Sequence, residues 1–256
     1  MIKKKEASVV AEDVKKNADK KESLEERYKL NFSKEAISLE KMLKNGVHFG
    51  HNKSCRDPRM DKFIFGSKRG INIIDLEKTK DCLEKAIEFA KSVKKEEKQI
   101  LFVGTKKQAK AIIKMAAQAC EMPFVNERWL GGTFTNFGVI RKRTQYLRDS
   151  QEQMEKGGFD KYTKLEKLKK FEELEKLEKR MGGLKEMRNL PAAIFISDIK
   201  TDEIALREAM SIKIPIIAIV DTNVNPEKVD YPIPANDDAV SSLKTIMEYF
   251  SGAIVK

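Results

Sequence analysis

Apolar residues recur along the chain with two spacings, and the points where one gives way to the other divide it into elements. Leu39, Met42 and Leu43 lie at helical spacing, and Asn45-Gly46 supplies a stop. Phe63-Ile64-Phe65 and Ile71 to Leu76 are two apolar runs parted by Gly66 to Gly70, which predicts a hairpin leading into the first core strand. Residues 77 to 94 return to helical spacing through Leu83, Ala86, Ile87 and Ala90. Gln99 to Thr105 then predicts a buried strand, and Lys106 to Cys120 an Ala-rich helix with Ala109, Ile112, Ile113 and Ala116 on one face. A shorter strand is expected at Pro123 to Asn126. After a long interruption come a strand at Ala192 to Ser197, a helix over 201–212, a strand at Ile214 to Val220 and a helix over 239–251. Strands apolar on both faces, alternating with helices, predict an α/β fold with a parallel sheet covered on both sides.

The interruption, 138–188, carries fifteen Lys or Arg and ten Asp or Glu, a net contribution of +5. Gly157-Gly158 parts two helical stretches within it. Ile140, Leu147 and Met154 repeat every seven residues in the first, and Leu174, Leu177, Met181 and Leu184 follow 3-4-3 spacing in the second. Two such stripes bury most simply against each other, as an inserted α-helical coiled-coil hairpin. Residues 1–36 differ again: ten Lys or Arg, eight Asp or Glu and no sustained apolar stripe predict an arm that is disordered or loosely helical. The expected division is therefore an arm over 1–36, an α/β domain built from 37–137 and 189–256, and the hairpin over 138–188.

Composition narrows the partner. Charged residues make up 36% of the 256 positions, against roughly 25% in ordinary soluble chains, and the formal charge is +11. A basic excess favours a polyanion, because each neutralised phosphate releases condensed counterions. The basic residues are interleaved with acids rather than set opposite Trp and Phe on one amphipathic segment, which disfavours a membrane surface. Apolar runs such as Ile214 to Val220 reach only strand length, and no apolar run follows the basic start, so a cytoplasmic chain without a membrane span or secretory signal is expected. Cys55, Cys82 and Cys120 are odd in number and scattered, as befits free thiols.

Little in the chain points to catalysis. Neither Gly-rich phosphate-binding signature occurs. Gly104-Thr105-Lys106-Lys107-Gln108 does sit where a strand feeds a helix. There Thr105 either caps the helix or leaves free backbone N–H groups for a phosphate, of RNA or of a small ligand. His48-x-x-His51-x-x-x-Cys55 offers three zinc-type ligands without an evident fourth, or else a packed turn eased by Gly46 and Gly50. In Arg128-Trp129-Leu-Gly-Gly-Thr-Phe134-Thr-Asn-Phe137 the aromatics either stack on RNA bases or bury as the hinge of the hairpin, the latter being expected, with Arg128 facing a phosphate in either case. Two basic stretches are diluted by few acids: Arg56, Arg59, Lys62, Lys68 and Arg69 around the first hairpin, and Arg141, Lys142, Arg143 and Arg148 at the root of the insertion.

Taken together, Gly46-Val-His-Phe-Gly-His51, Phe63-Ile-Phe-Gly66, Gly70-Ile-Asn-Ile-Ile-Asp-Leu76, Phe102-Val-Gly-Thr-Lys106, Arg128-Trp-Leu-Gly-Gly-Thr133 with Thr135-Asn136, and Ile219-Val-Asp-Thr-Asn223 resemble the small-subunit ribosomal protein family two, from about Ser38 to about Ile254. The resemblance implies a flavodoxin-like domain with an inserted helical hairpin, docked on small-subunit rRNA between head and body. It also implies that the chain helps to recruit ribosomal protein S-one and touches neighbouring small-subunit proteins. No metal, nucleotide or other cofactor, and no small-molecule substrate, is expected. The chain departs from the family at Arg56-Asp57, where an aromatic and Asn often precede Pro-[KR]-Met, at Pro191-Ala192 in place of Pro-Asp, and at Ala235 in place of a glycine.

The expected role is that of a structural RNA-binding part, with rRNA held by Arg56, Arg59, Lys62, Lys68, Arg69, Lys106, Lys107, Arg128, Arg141, Lys142 and Arg143. Two rivals are an enzyme using the crevice near Gly104, Asp198 and Asp221, and a scaffold whose hairpin docks protein partners.

Overall fold

A computed structural model describes residues 30, 37–156, 158 and 163–255. The predicted arm lies outside the described residues except for Leu30, which is buried in the core. The chain enters through a short helix, α1 (Leu39–Lys44), capped by Ser38, and then lays down three short strands, β1 (Phe49–Asn52), β2 (Ile64–Lys68) and β3 (Ile71–Ile74). These pair antiparallel in the order β1-β3-β2 and form a sheet of their own. The hairpin therefore does not lead into a core strand. Leu76 already begins helix α2 (Leu76–Lys95), because Asp75 accepts the amide of Glu77 and starts the helix there.

The main sheet is parallel and ordered β5-β4-β6-β7-β8, with β4 (Ile100–Val103), β5 (Phe124–Val125), β6 (Ala193–Ile196), β7 (Ile216–Val220) and β8 (Tyr231–Pro234). The chain leaves β4 toward one edge and returns to β6 on the other side, so this is the flavodoxin-like order with its switch point between β4 and β6. Each central strand is apolar throughout because its residues alternate between two cores. Ile100, Phe102, Phe195, Ile217 and Ile219 enter one, beneath α2, α3 (Lys110–Cys120) and α7 (Val240–Ile254). Leu101, Val103, Ile194, Ile196, Ala218 and Val220 enter the other, beneath α6 (Glu203–Ile212) and the root of the insertion. Phe102, Phe195 and Phe250 form the centre of the first core, with ring centroids 4.8 to 6.1 Å apart and roughly 1.5–3 kcal/mol for burying each ring.

Strand β8 escapes a hydropathy reading because Pro232 and Pro234 interrupt it. It survives as an edge strand: the ladder to β7 uses alternate residues, as in Ala235 N–H to Val220 O, 3.2 Å, so the missing proline donors face away from the ladder. Ala235, where the family has glycine, is fully buried and is not among the described residues with positive φ. The family glycine is thus not required here by backbone conformation.

The inserted segment forms helices α4 (Phe137–Glu155) and α5 (Lys164–Met181), packed on each other. Ile140, Leu147, Leu174, Met181 and Leu184 are buried, and Leu177 is half-buried. Met154, expected in the same seam, is 42% exposed. Continuing the 3-4 spacing upstream from Leu174 meets Lys170 and Lys167, so the apolar stripe of α5 ends at Leu174. The hairpin root joins the second core through Ile140, Met181 and Leu184, and the buried seam continues beyond it through Leu147 and Leu174. Gly157, in the expected turn, lies outside the described residues.

Candidate nucleic-acid interface

The strand C-termini, where open α/β sheets hold their ligands, form an acidic cluster in this chain. Asp198 follows β6, Asp221 follows β7, Asp237 and Asp238 follow β8, and Asp202 opens α6. Lys106 lies among them, its ammonium 3.1 Å from Asp198, 2.8 Å from Asp237 and 2.8 Å from Asp238. Burial pulls the Lys106 pKa down, but bonds to Asp237 and Asp238 and the charges of Asp237 and Asp198 outweigh it and hold the lysine charged. Asp237 is pushed up to about 7 by burial and by the charges of Asp198 and Asp221, against the pull of Lys106.

The strand-to-helix turn at Gly104 is already occupied from within. Asp202 accepts the Thr105 amide at 3.2 Å and its hydroxyl at 2.8 Å, in the position a phosphate would take. Burial pushes Asp202 up to about 6, with the Thr105 bonds opposing. Thr105 thus does not cap the helix. The α-helix starts four residues later than predicted, at Lys110, with no side-chain cap on Ala109. Gly104 is needed for closeness: a Cβ there would sit 2.5 Å from Ile113 Cγ1 and 2.8 Å from Ser197 Oγ.

His51 ties the small sheet to this cluster. Its Nδ1 is 3.1 Å from Asp221 and its Nε2 3.4 Å from Asp238, and the bond to Asp221 raises its pKa despite burial. Its amide donates to Thr222 Oγ1 at 2.9 Å, and Asn72 donates to its carbonyl at 3.1 Å. Gly50 allows this contact, since a Cβ would lie 2.5 Å from Thr222 Cγ2. Cys55, the third member of the H-x-x-H-x-x-x-C spacing, is exposed, and its thiol contact is to Ser54 at 3.9 Å. The turn is a packed junction.

The Trp129 segment is also held by a carboxylate. Glu208, on the core-facing side of α6, accepts Trp129 Nε1 at 3.1 Å and the amides of Gly132, Phe134 and Thr135 at 2.7, 2.9 and 3.3 Å. Burial alone raises the Glu208 pKa, but these donors outweigh it and hold the group below the usual carboxylate range. Trp129 and Phe134 are buried edge to face at 5.1 Å, the hinge arrangement. Glu208 itself was not singled out from sequence. The visible signal was an acid on a helix face otherwise made of Ala205, Leu206 and Ala209.

Apart from Lys106, the predicted cations fall into two groups outside the acidic cluster. At the small sheet, Lys68 and Arg69 form the tip of the β2–β3 turn, Arg69 with φ +52°, and Lys62 lies 5.1 Å from the centroid of its neighbour Phe63. Arg56 is held by Asp61 at 3.0 Å, and Arg59 reaches Glu227 at 3.4 Å. At the hairpin root, Arg141, Lys142 and Arg143 are exposed on the first turns of α4, Arg128 is exposed just before the Trp129 loop, and Lys107 is exposed beside Lys106. Among the described residues, Lys62, Lys68, Arg69, Lys107, Arg128, Arg141, Lys142 and Arg143 have no carboxylate within 4.0 Å. Lys106 stands apart, with three. No helix among the described residues is long and apolar enough to cross a membrane.

Comparison with known proteins covers most of the chain. The family model described as Ribosomal protein S2 matches residues 42–256. The small ribosomal subunit protein uS2 of Borreliella burgdorferi is 46% identical over 220 residues, covering 86% of this chain and 85% of its own. The protein of the same description from Borreliella afzelii is 44% identical, and that from Borrelia garinii subsp. bavariensis 46%, each over 86% of this chain and 84% of its own.

Proposed function

The chain belongs to the ribosomal protein S2 family, and on that premise we propose that it clasps small-subunit rRNA through phosphate contacts and makes or breaks no bond. It is a structural component of the small ribosomal subunit and serves translation there. The observation that carries the RNA-binding reading is a separation of charge. The crevice where a nucleotide or phosphosugar would bind is filled by Asp198, Asp202, Asp221, Asp237 and Asp238, whose field repels phosphate. The predicted cations that have no carboxylate partner among the described residues stand on the outside, in two places. One is the small sheet, with Lys68 and Arg69 at the β2–β3 turn and Lys62 just before β2. The other is the hairpin root with Arg128, Arg141, Lys142 and Arg143, with Lys107 nearby. Arg56 and Arg59, each shared with one acid, add weaker contacts. Lys106 has its charge satisfied internally and braces the strand ends instead.

Phosphate contacts of this kind position the protein by the shape of folded RNA rather than by base identity. Replacing Arg141, Lys142 and Arg143 together by alanine should flatten the salt dependence of binding to a small-subunit rRNA fragment by roughly 2 in log–log slope, at about 0.7–0.9 per phosphate lost. Footprinting of the rRNA with and without the chain supplies the location; an absence of protection between head and body ends the proposal. Recruitment of ribosomal protein S-one, which the family resemblance implies, belongs to the same proposal and is tested by its retention on subunits assembled without this chain.

A further inference from the structure

Of the aromatic residues singled out for base stacking, Trp129 and Phe134 are buried and Phe137 is half-buried, whereas two others stand open on the small sheet. In β3 the side chains alternate, Asn72 and Ile74 pointing inward to full burial and Ile71 and Ile73 pointing outward. Register places Phe49 of β1 opposite Ile73, and Gly66 and Lys68 of β2 opposite Ile73 and Ile71. A bulge between Ile64 and Gly66 adds Phe65 to this row, 80% exposed. Phe49 is 49% exposed and Ile71 37%. Ile73 lies between Phe49 and Gly66 in register, and Gly66 adds no side chain beside Phe65, in a place where a Cβ would meet no atom within 4 Å. With strands about 4.8 Å apart, the backbones of β1 and β2, which carry the two rings, run roughly 10 Å from each other across the sheet.

Cations stand at one end of this apolar face. Lys68 and Arg69 form the turn, and Lys53 is pinned beside it by its amide bond to Gly70 O at 2.8 Å. All three are exposed, and among the described residues none has a carboxylate within 4.0 Å. Exposed rings on a rigid sheet, with positive charge at the rim, are what unpaired bases and their phosphates require together: a ring offers its π-face to any base, while duplex RNA has no free base face to give.

We propose that the outer face of the β1-β3-β2 sheet binds unpaired nucleotides of RNA, with Phe65 and Phe49 stacking on bases and Lys53, Lys68 and Arg69 holding the backbone. This rests on the RNA-binding reading above and specifies the form of RNA that this face takes. The test measures binding of the full chain to a single-stranded 12-nucleotide oligouridine and to a 12-base-pair RNA duplex. Phe65→Ala should weaken the single strand by about tenfold and leave the duplex unchanged. Phe65→Tyr, which keeps the ring, should retain affinity. Since Phe65 is mostly in solvent, its removal opens no cavity. Equal effects on both probes, or none, would overturn the inference. So would a Phe65→Ala chain that binds both RNAs normally but loses a protein partner on the subunit, which would make the face a protein-docking surface. A wild-type chain that binds no rRNA fragment at all would instead end the broader RNA-binding reading.

Discussion

Replacing Glu208 by glutamine isolates the clamp that fixes the hairpin root to the α/β domain. One carboxylate oxygen accepts Trp129 Nε1 and Gly132 N–H, and the other accepts Phe134 N–H and Thr135 N–H, with the Thr135 hydroxyl at 3.4 Å. Glutamine keeps the shape but turns one oxygen into a donor, so at least two N–H groups face another N–H. Hydrogen bonds to a charged acceptor contribute about 1.5–3 kcal/mol each. Water reaching the exposed Thr135 side recovers part of that, leaving an expected loss of about 3 kcal/mol. For a chain of this size that lowers the melting temperature by roughly 6–12 °C. Trp129 is the only tryptophan in the chain, so its fluorescence reports on this loop and no other. Its emission should shift to the red in the native state of the variant, as the buried indole loses its partner and meets water. A loss of stability below about 1 kcal/mol, with emission unchanged, would refute the view that Glu208 organises the loop.

Gly183→Ala would drive a methyl group into the carbonyl oxygen of Phe124 and to within 2.8 Å of its ring, and should cost about 1–3 kcal/mol. Gly138→Ala meets nothing within 4 Å in helix α4 and should add up to about 1 kcal/mol; denaturant midpoints for the pair check both. Asp237 has a folded pKa near 7, above its unfolded value of about 4, so the native state holds a proton that the unfolded chain releases. Its contribution is complete below about pH 4 and is lost as pH rises to about 7. Thermal melts from pH 5 to 8 should therefore show a falling stability that Asp237→Asn makes shallower; an unchanged slope would place that titration elsewhere. Asp198 and Glu208, whose pKa values are lowered, act at the other end, losing their contribution as the medium turns acid below the carboxylate range.

Sequence by itself determined the layered α/β architecture, because hydropathy is a local record of burial. Strands flanked by helices on both faces must be apolar at every position, and Ile100–Val103, Ala193–Ile196 and Ile216–Val220 are. The paired stripes of the insertion announced two helices that pack together, and the order of short motifs announced the family. Tertiary structure alone decided what each charge does. Lys106 reads in sequence like any lysine at a helix start, yet residues more than ninety positions away surround it with three carboxylates. Glu208 meets Trp129 across 79 residues, and Phe65 is left in solvent by a bulge that register, not composition, creates. An ion pair, a clamp or an open ring depends on which distant strand ends the topology brings within a few ångströms, and electrostatic and hydrogen-bond energies fall off over that same range. Burial of a whole strand averages over many neighbours and survives ignorance of their identity, whereas the fate of a single charge depends on each of them.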